Sequence, residues 1–345
     1  MKIRHLSRRI TATVAVGLSA GLALSACGSS DQPQAEDSAP VVRLQGLEGG
    51  LSSMALKIIT DQGFDEANGF SAETFEVSGD ASVQFFLQGD ADVSFDGDPL
   101  TAALLRSQGN DVTTYFPMAV QDVALVVRGD SPYQTEQDLI GQKVGHDGLD
   151  SGGMTAALVM LEEFSDLDIE EQYDLQLTQE AALLRLLDRG DIEAAFTAEP
   201  NTIIAAQEYG MRTVWGPGWE EWETAAGGRS WNITAMAHDS WIEENPELAA
   251  GVQQAWNDAY DWIVDDPSRV TTGELGDLIG IENEQVGAGF EELIATSEYF
   301  TKRWTEEDVA AAEAFIEKAA AAGLGGLTSA PAGAVTRLPD SDSGE

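Results

Sequence analysis

Residues 91–107 read Ala91-Asp92-Val93-Ser94-Phe95-Asp96-Gly97-Asp98-Pro99-Leu100-Thr101-Ala102-Ala103-Leu104-Leu105-Arg106-Ser107. Ala91 to Phe95 is a short β-like run, and Asp96-Gly97-Asp98 is a turn. Pro99 suits the first turn of a helix over 98–107, because the N–H it lacks is one that a helix start leaves unpaired anyway. A strand that passes through a tight turn straight into a helix is one step of an α/β fold.

The same step repeats on both sides. Upstream, Val41-Val42-Arg43-Leu44 leads through the glycine-rich turn Gln45-Gly46-Leu47-Glu48-Gly49-Gly50. A helix over 51–62 follows, with Leu51, Met54, Ala55, Ile58 and Ile59 near helical spacing. Phe75-Glu76-Val77 is a strand, and Ser78 or Asp80 can cap a short helix bearing Val83, Phe86 and Leu87. Downstream, Val112 to Phe116 is a strand. The alternation β-α-β-α-β-α-β predicts a mostly parallel sheet with helices on both faces.

The pattern restarts after residue 120. Val123 to Val127 and Lys143-Val144-Gly145-His146 are strands, and 152–164 is a helix. Tyr173 to Leu177, Ile192 to Phe196 and Arg212-Thr213-Val214 are strands, separated by helices over 179–189 and 199–209. Two α/β units in tandem predict two lobes, each a mostly parallel sheet flanked by helices, with a ligand cleft between them. A further strand at 233–238 precedes a long helix, with Asn245 as its cap, Pro246 in its first turn and Pro267 as its stop. Residues 270–317 are expected to form helical segments separated by Gly273, Gly280 and Gly289. Thr305 to Asp308 would start a helix over 309–322, and 328–345 is expected as a frayed polar tail.

The N-terminus reads as an address. Residues 1–10 carry Lys2, Arg4, Arg8 and Arg9 without an acid, and residues 12–26 are apolar and small. A basic segment followed by an apolar run of this length is a secretory signal. It ends in Leu24-Ser25-Ala26-Cys27-Gly28, which resembles the lipobox of bacterial lipoproteins. That resemblance implies a signal peptide over 1–26 and lipid on Cys27, the one cysteine of the chain. Residues 27–40 would be a flexible tether. The protein is therefore expected outside the cell, held by lipid on the outer face of the cytoplasmic membrane.

Composition excludes several classes. The 345 residues include 60 Asp and Glu against 18 Lys and Arg, a formal net charge of −42. Loss of 1–26 would take this to −46. Such a charge argues against nucleic acid, whose phosphates it would repel. One cysteine leaves no disulfide framework. Most of the acids must form a solvated surface.

Several segments together resemble the SsuA/THI5-like (NMT1-like) solute-binding proteins of ABC transporters. Thr135-Glu136-Gln137-Asp138-Leu139-Ile140-Gly141-Gln142-Lys143-Val144-Gly145 is similar to the family's "DLkGKkVg" element. Leu186-Leu187-Asp188-Arg189-Gly190-Asp191-Ile192-Glu193-Ala194-Ala195 is similar to "LLxxGxvDAa", with Glu193 for Asp, and Gln88 to Val93 matches it in the first half. Trp241 to Leu248 resembles the "fixxnPe" helix start. The resemblance implies the type 2 periplasmic-binding-protein fold, with residues 41–120 plus 236–327 as lobe one and 121–235 as lobe two. It implies a hinge near Val120-Gln121-Asp122 and Asn232-Ile233-Thr234. It also implies a monomer that captures a small nitrogen- or sulfur-containing molecule, such as a thiamine-precursor pyrimidine or a sulfonate, and delivers it to a permease with its ATPase.

Candidate ligand-binding residues follow from strand ends that face the cleft. Glu48 and Gly49 lie in the first turn. Asp96 follows the third strand, whereas Asp98 reads better as a helix cap. Gln121 is at the hinge. The best stretch is His146 to Met154, where Asp150, Ser151, Gly152 and Gly153 stand at a helix start and either bind ligand or merely cap. Asp147 and Asp150 depart from an anion cradle and favour a cationic or amine-bearing ligand over a sulfonate. Glu199 is a ligand partner or a charge on a helix N-terminus. Trp215 and Trp231, with Trp219 and Trp222, either stack on a planar ligand or pack beneath a loop.

No zinc pattern, phosphate loop or nucleophile motif is present, so no cofactor, metal or catalytic residue is expected. Two alternatives stay open: a surface sensor of the same fold without a transporter, and an enzyme of pyrimidine biosynthesis. The enzyme of that fold uses a Cys-rich motif, and nothing after Cys27 supplies one.

Overall fold

Among the described residues ten strands form two five-stranded sheets that share one design. The computed structural model describes residues 39–149, 152–217, 222–224, 228–297, 299–323 and 326–339. The signal segment, Cys27, most of the tether, Asp150, Ser151 and Trp219 lie outside the described residues.

The first sheet contains β1 (Val41–Leu47), β2 (Ser71–Val77), β3 (Val93–Gly97), β4 (Val112–Val120) and β10 (Trp231–His238), in the order β2-β1-β3-β10-β4. The second contains β5 (Ala124–Val127), β6 (Lys143–His146), β7 (Asp174–Leu177), β8 (Ala194–Thr197) and β9 (Arg212–Trp215), in the order β7-β6-β8-β5-β9. β1 pairs in parallel with β2 and β3, and β6 in parallel with β7 and β8. β10 runs antiparallel to β3 and β4, as β5 does to β8 and β9. The fourth place in each sheet is thus taken by the strand that has just crossed from the other sheet. Every residue of β4, β5 and β8 is buried, as expected of strands covered on both faces.

Helices follow the parallel strands as their periodicity requires. Leu51–Asp61 follows β1, Pro99–Ser107 follows β3, Gly152–Ser165 follows β6 and Asn201–Tyr209 follows β8. The predicted strand at Val112–Phe116 continues to Val120, because Pro117 to Val120 are equally apolar and pair with β10. The returning strand starts at Trp231, two residues ahead of the expected 233, and pairs with β4 from that point. The two crossings lie side by side, with Gln121 N donating to Ser230 O at 2.9 Å.

The C-terminal half holds three departures. Asn245 precedes Pro246–Asp265 without capping it; its Nδ2 donates to Trp241 O at 3.0 Å in the preceding helix. Gly289 does not separate segments but lies inside Glu284–Ser297, where a Cβ would meet Ile203 Cγ2 at 3.0 Å. The run 328–339 is not a frayed tail. Thr114 N donates to Ala334 O at 2.9 Å and Thr336 N to Thr114 O at 2.8 Å, while Val335 and Leu338 are buried. These apolar residues anchor an otherwise polar stretch. The predicted start of the last helix does hold: Thr305 and Asp308 form a reciprocal capping box on Glu306–Ala322.

Candidate functional site

A cleft of about 210 Å³ opens where the carboxyl ends of β1, β3, β6 and β8 converge. Equivalent strands of the two sheets therefore supply its two walls. The wall from the first sheet carries Gly49, Asp96 and Asp98, and that from the second carries Asp147, Gly153 and Glu199. Asp122 and Asn232 reach it from the two crossings.

The first turn is shaped by backbone. Gly49 adopts φ +71°, a left-handed conformation that glycine takes without cost. Gly50 N donates to Leu47 O at 2.9 Å, which closes the turn onto the helix Leu51–Asp61. Gly50 provides no side-chain cap, so the start of that helix faces the cleft bare.

Asp98 and Asp96 stand two residues apart and do different things. Asp98 Oδ1 accepts from Leu100 N at 2.8 Å and Thr101 N at 3.1 Å, and Oδ2 accepts from Thr101 Oγ1. It is the helix cap that the sequence favoured. Asp96 Oδ2 accepts from Ser82 Oγ at 2.6 Å, and Ser82 Oγ in turn accepts from Gln45 Nε2 at 2.6 Å. This relay aims the carboxylate into the cleft. Burial, opposed by the Ser82 hydrogen bond and aided by the charge of Asp98, pushes the Asp96 carboxyl up to about 6.

On the other wall Asp122 is fully engaged. It accepts from Tyr299 Oη at 2.5 Å, Asn232 Nδ2 at 2.7 Å and Glu199 N at 3.1 Å. Burial still raises its carboxyl above the usual range, although those three bonds oppose it. Glu199 lies next to it and accepts from Ile203 N at 3.3 Å, at the start of Asn201–Tyr209. Burial first, and then the charge of Asp122, push the Glu199 carboxyl up to about 8. Two carboxyls that share one partly dry space do not both ionise readily at neutral pH.

The structure brings Gly49, Asp96, Gly153 and Glu199 together on the cleft, from four separate stretches of sequence. Gly152 opens its helix at the same strand end. Glu48 is exposed beside the cleft and does not line it. Gln121 stands behind the wall, fully buried, with Nε2 donating to Gly153 O at 2.6 Å. It positions Gly153, where a Cβ would meet Val123 Cγ2 at 2.7 Å and Asn232 Oδ1 at 3.1 Å.

The tryptophan expectation is corrected. Trp215 and Trp231 are buried and neither lines the cleft. Trp231 packs edge-on against Trp304 at a ring separation of 6.0 Å, and Trp222 against Phe315 at 4.8 Å. Four flat rings near a Gly-Pro-Gly turn have no local feature that separates core from cleft, and here the apolar interior takes those described. Among the described lining residues the aromatic one is Phe196, near the end of β8. Its apolar strand carried no sign of the role. Tyr299 also went unnoticed, since nothing local links it to Asp122.

Five carboxylates thus line the cleft, and among the described lining residues there is no Lys, Arg or His. Among the described residues no group of three His, Cys, Asp or Glu is placed to hold a metal ion. No described helix is long and apolar enough to cross a membrane.

Comparisons with known proteins agree on architecture. The family model described as NMT1/THI5 like matches residues 60–270. Among curated proteins none matches the chain in sequence. The alkanesulfonate-binding protein SsuA from Xanthomonas axonopodis pv. citri, solved bound to MOPS, superposes with a TM-score of 0.68 at 13% identity, covering 87% of this chain and 99% of its own. The periplasmic aliphatic sulphonate binding protein SsuA from Escherichia coli gives 0.64 at 16% identity, covering 82% of this chain and 92% of its own. A Candida albicans protein described as having the generic periplasmic binding protein fold gives 0.59 at 13%, covering 82% and 90%. At these identities the matches establish the periplasmic-binding-protein fold.

Proposed function

The chain belongs to the NMT1/THI5-like family, and on that premise we propose that it is the lipid-anchored, extracytoplasmic solute-binding component of an ABC importer. It captures a small nitrogen- or sulfur-containing organic molecule and presents it to a membrane permease driven by an ATPase. The observation that carries this reading is the cleft itself. It is lined at once by the strand ends of both sheets, and among the described residues the chain crosses between the sheets at adjacent segments around Gln121 and Ser230. Two sheets joined at neighbouring segments suit closure about a hinge. Residues 41–120 with the C-terminal helices would form one lobe, and 121 to about 230 the other.

Of the ligands considered, the cleft favours the nitrogen-containing class, because a sulfonate would meet carboxylates and no basic side chain among the described lining residues. Mass spectrometry of small molecules released from the purified protein tests the reading. A stoichiometric organic molecule is expected. Its absence, together with no thermal stabilisation by any small solute, would overturn it. Replacing Cys27 with Ser should move the protein from the membrane fraction to the soluble fraction.

A further inference from the structure

We infer that the cleft selects an organic cation with an apolar body, held by charge between Asp96 on one wall and Glu199 on the other. The inference rests on the solute-binding reading and narrows it to a class of ligand.

The fold would ordinarily favour an anion here, because helix N-termini point into the cleft and each carries about half a positive charge. In this chain two of those positions are already filled by its own acids. Asp98 accepts from Leu100 N and Thr101 N at the start of Pro99–Ser107. Glu199 accepts from Ile203 N at the start of Asn201–Tyr209. The helix Leu51–Asp61 remains uncapped by a side chain, but its partial charge is outweighed by five carboxylates with no basic side chain among the described lining residues.

The five acids are not equivalent. Asp98 is spent on its cap and Asp122 on Tyr299, Asn232 and Glu199 N. Asp96 and Glu199 each show one donor, on Oδ2 and Oε2 respectively. They come from opposite sheets, so a cation between them satisfies both and draws the walls together. Without it, closure dries two carboxyls further and keeps Glu199 protonated, whereas a cation between them favours the ionised form of both. A bare metal ion fits this surface badly. Phe196, Leu47, Val123, Met154, Ile233 and Ile279 form much of the lining, and they suit a hydrocarbon or ring rather than a hydrated ion. The Phe196 ring would add attraction for a positive centre.

The test uses the purified full chain and probes of one shape with different charge. Benzylammonium and benzamidinium are compared with benzenesulfonate, benzoate and neutral benzyl alcohol, each at the ionic strength of a NaCl control. The control matters because a chain of net charge −42 gains stability from any salt. The cations are expected to raise Tm by about 3–5 °C at saturation, and the anions by no more than NaCl. The isosteric pair Asp96→Asn with Glu199→Gln should abolish the shift, whereas Glu170→Gln with Glu313→Gln, on the exposed surface, should retain it. Stabilisation by the anions, survival of the cation shift in the cleft variant, or no cation shift above NaCl would each overturn the inference. An anion response would do so while leaving the solute-binding reading intact. No response to any probe from a protein that also releases no small molecule would overturn both.

Discussion

Tyr299 Oη donates to Asp122 Oδ2 at 2.5 Å, joining residues 177 positions apart. Asp122 stands where the chain leaves the first sheet for the second, and Tyr299 follows the helix Glu284–Ser297. Asn232, on the returning strand, donates to the other oxygen at 2.7 Å. One buried carboxylate therefore holds together both crossings and the C-terminal half.

Tyr299→Phe removes the donor and leaves the ring. The buried Asp122 loses one of three partners, so unfolding free energy at pH 7 should fall by about 1–3 kcal/mol. Urea denaturation of the variant checks this. A loss below about 0.5 kcal/mol would show that water replaces the hydroxyl.

Glu199→Gln should stabilise the protein at high pH. An unfolded Glu199 ionises near its ordinary value of 4.5, whereas the folded one keeps its proton to about 8. Between those values the folded state binds more protons, so wild-type stability falls as pH rises. The Gln variant lacks that fall. Its advantage should be near zero at pH 4 and widen through pH 8, to on the order of 1–2 kcal/mol once solvent screening is allowed for. Asp96→Asn should act in the same sense over the lower window from 3.8 to about 6. Thermal unfolding across pH 4–9 reads both.

Asp98→Ala and Asp98→Asn should separate. Alanine removes the cap of Pro99–Ser107 and should cost about 1–2 kcal/mol. Asparagine caps equally well without a charge to desolvate, so its stability at pH 7 should match or exceed that of the wild type. Equal losses for the two would mean that the Asp98 charge, not its cap geometry, matters.

Gly153→Ala should destabilise by about 1–3 kcal/mol, because the methyl meets Val123 Cγ2 at 2.7 Å beside the hinge. Ligand capture should weaken with it. Gly141→Ala is a poor control, since Gly141 has φ +76°. Comparing Glu162→Ala with Glu162→Gly, at an exposed position of the same helix, reports the propensity cost alone.

Much of the fold was legible because its signals are local. Ala91 to Ser107 announced strand, turn and helix through the alternation of Val93 and Phe95, the Asp-Gly-Asp turn and the position of Pro99. The Thr305–Asp308 capping box was readable for the same reason. The tail 328–339 was misread because Ala334, Val335 and Leu338 are too few to form a pattern. Only their partner Thr114, far away in sequence, gives them a place. The tryptophans failed for a related cause. A ring is equally suited to core and to cleft, and the sequence around Trp215 and Trp231 contains nothing to choose between them.

Short-range chemistry alone, then, dictated two α/β units, the ends of their strands and the acids that stand at those ends. Strand periodicity, turn residues and helix caps each act within a few residues, so they can be read without the rest of the chain. Which acids meet was decided only in three dimensions. Glu199 and Asp122 are 77 residues apart, and Asp96 and Asp98 have opposite tasks at adjacent sites. A carboxylate's proton affinity depends on what surrounds it, and that surrounding exists only once both sheets and their crossings are in place.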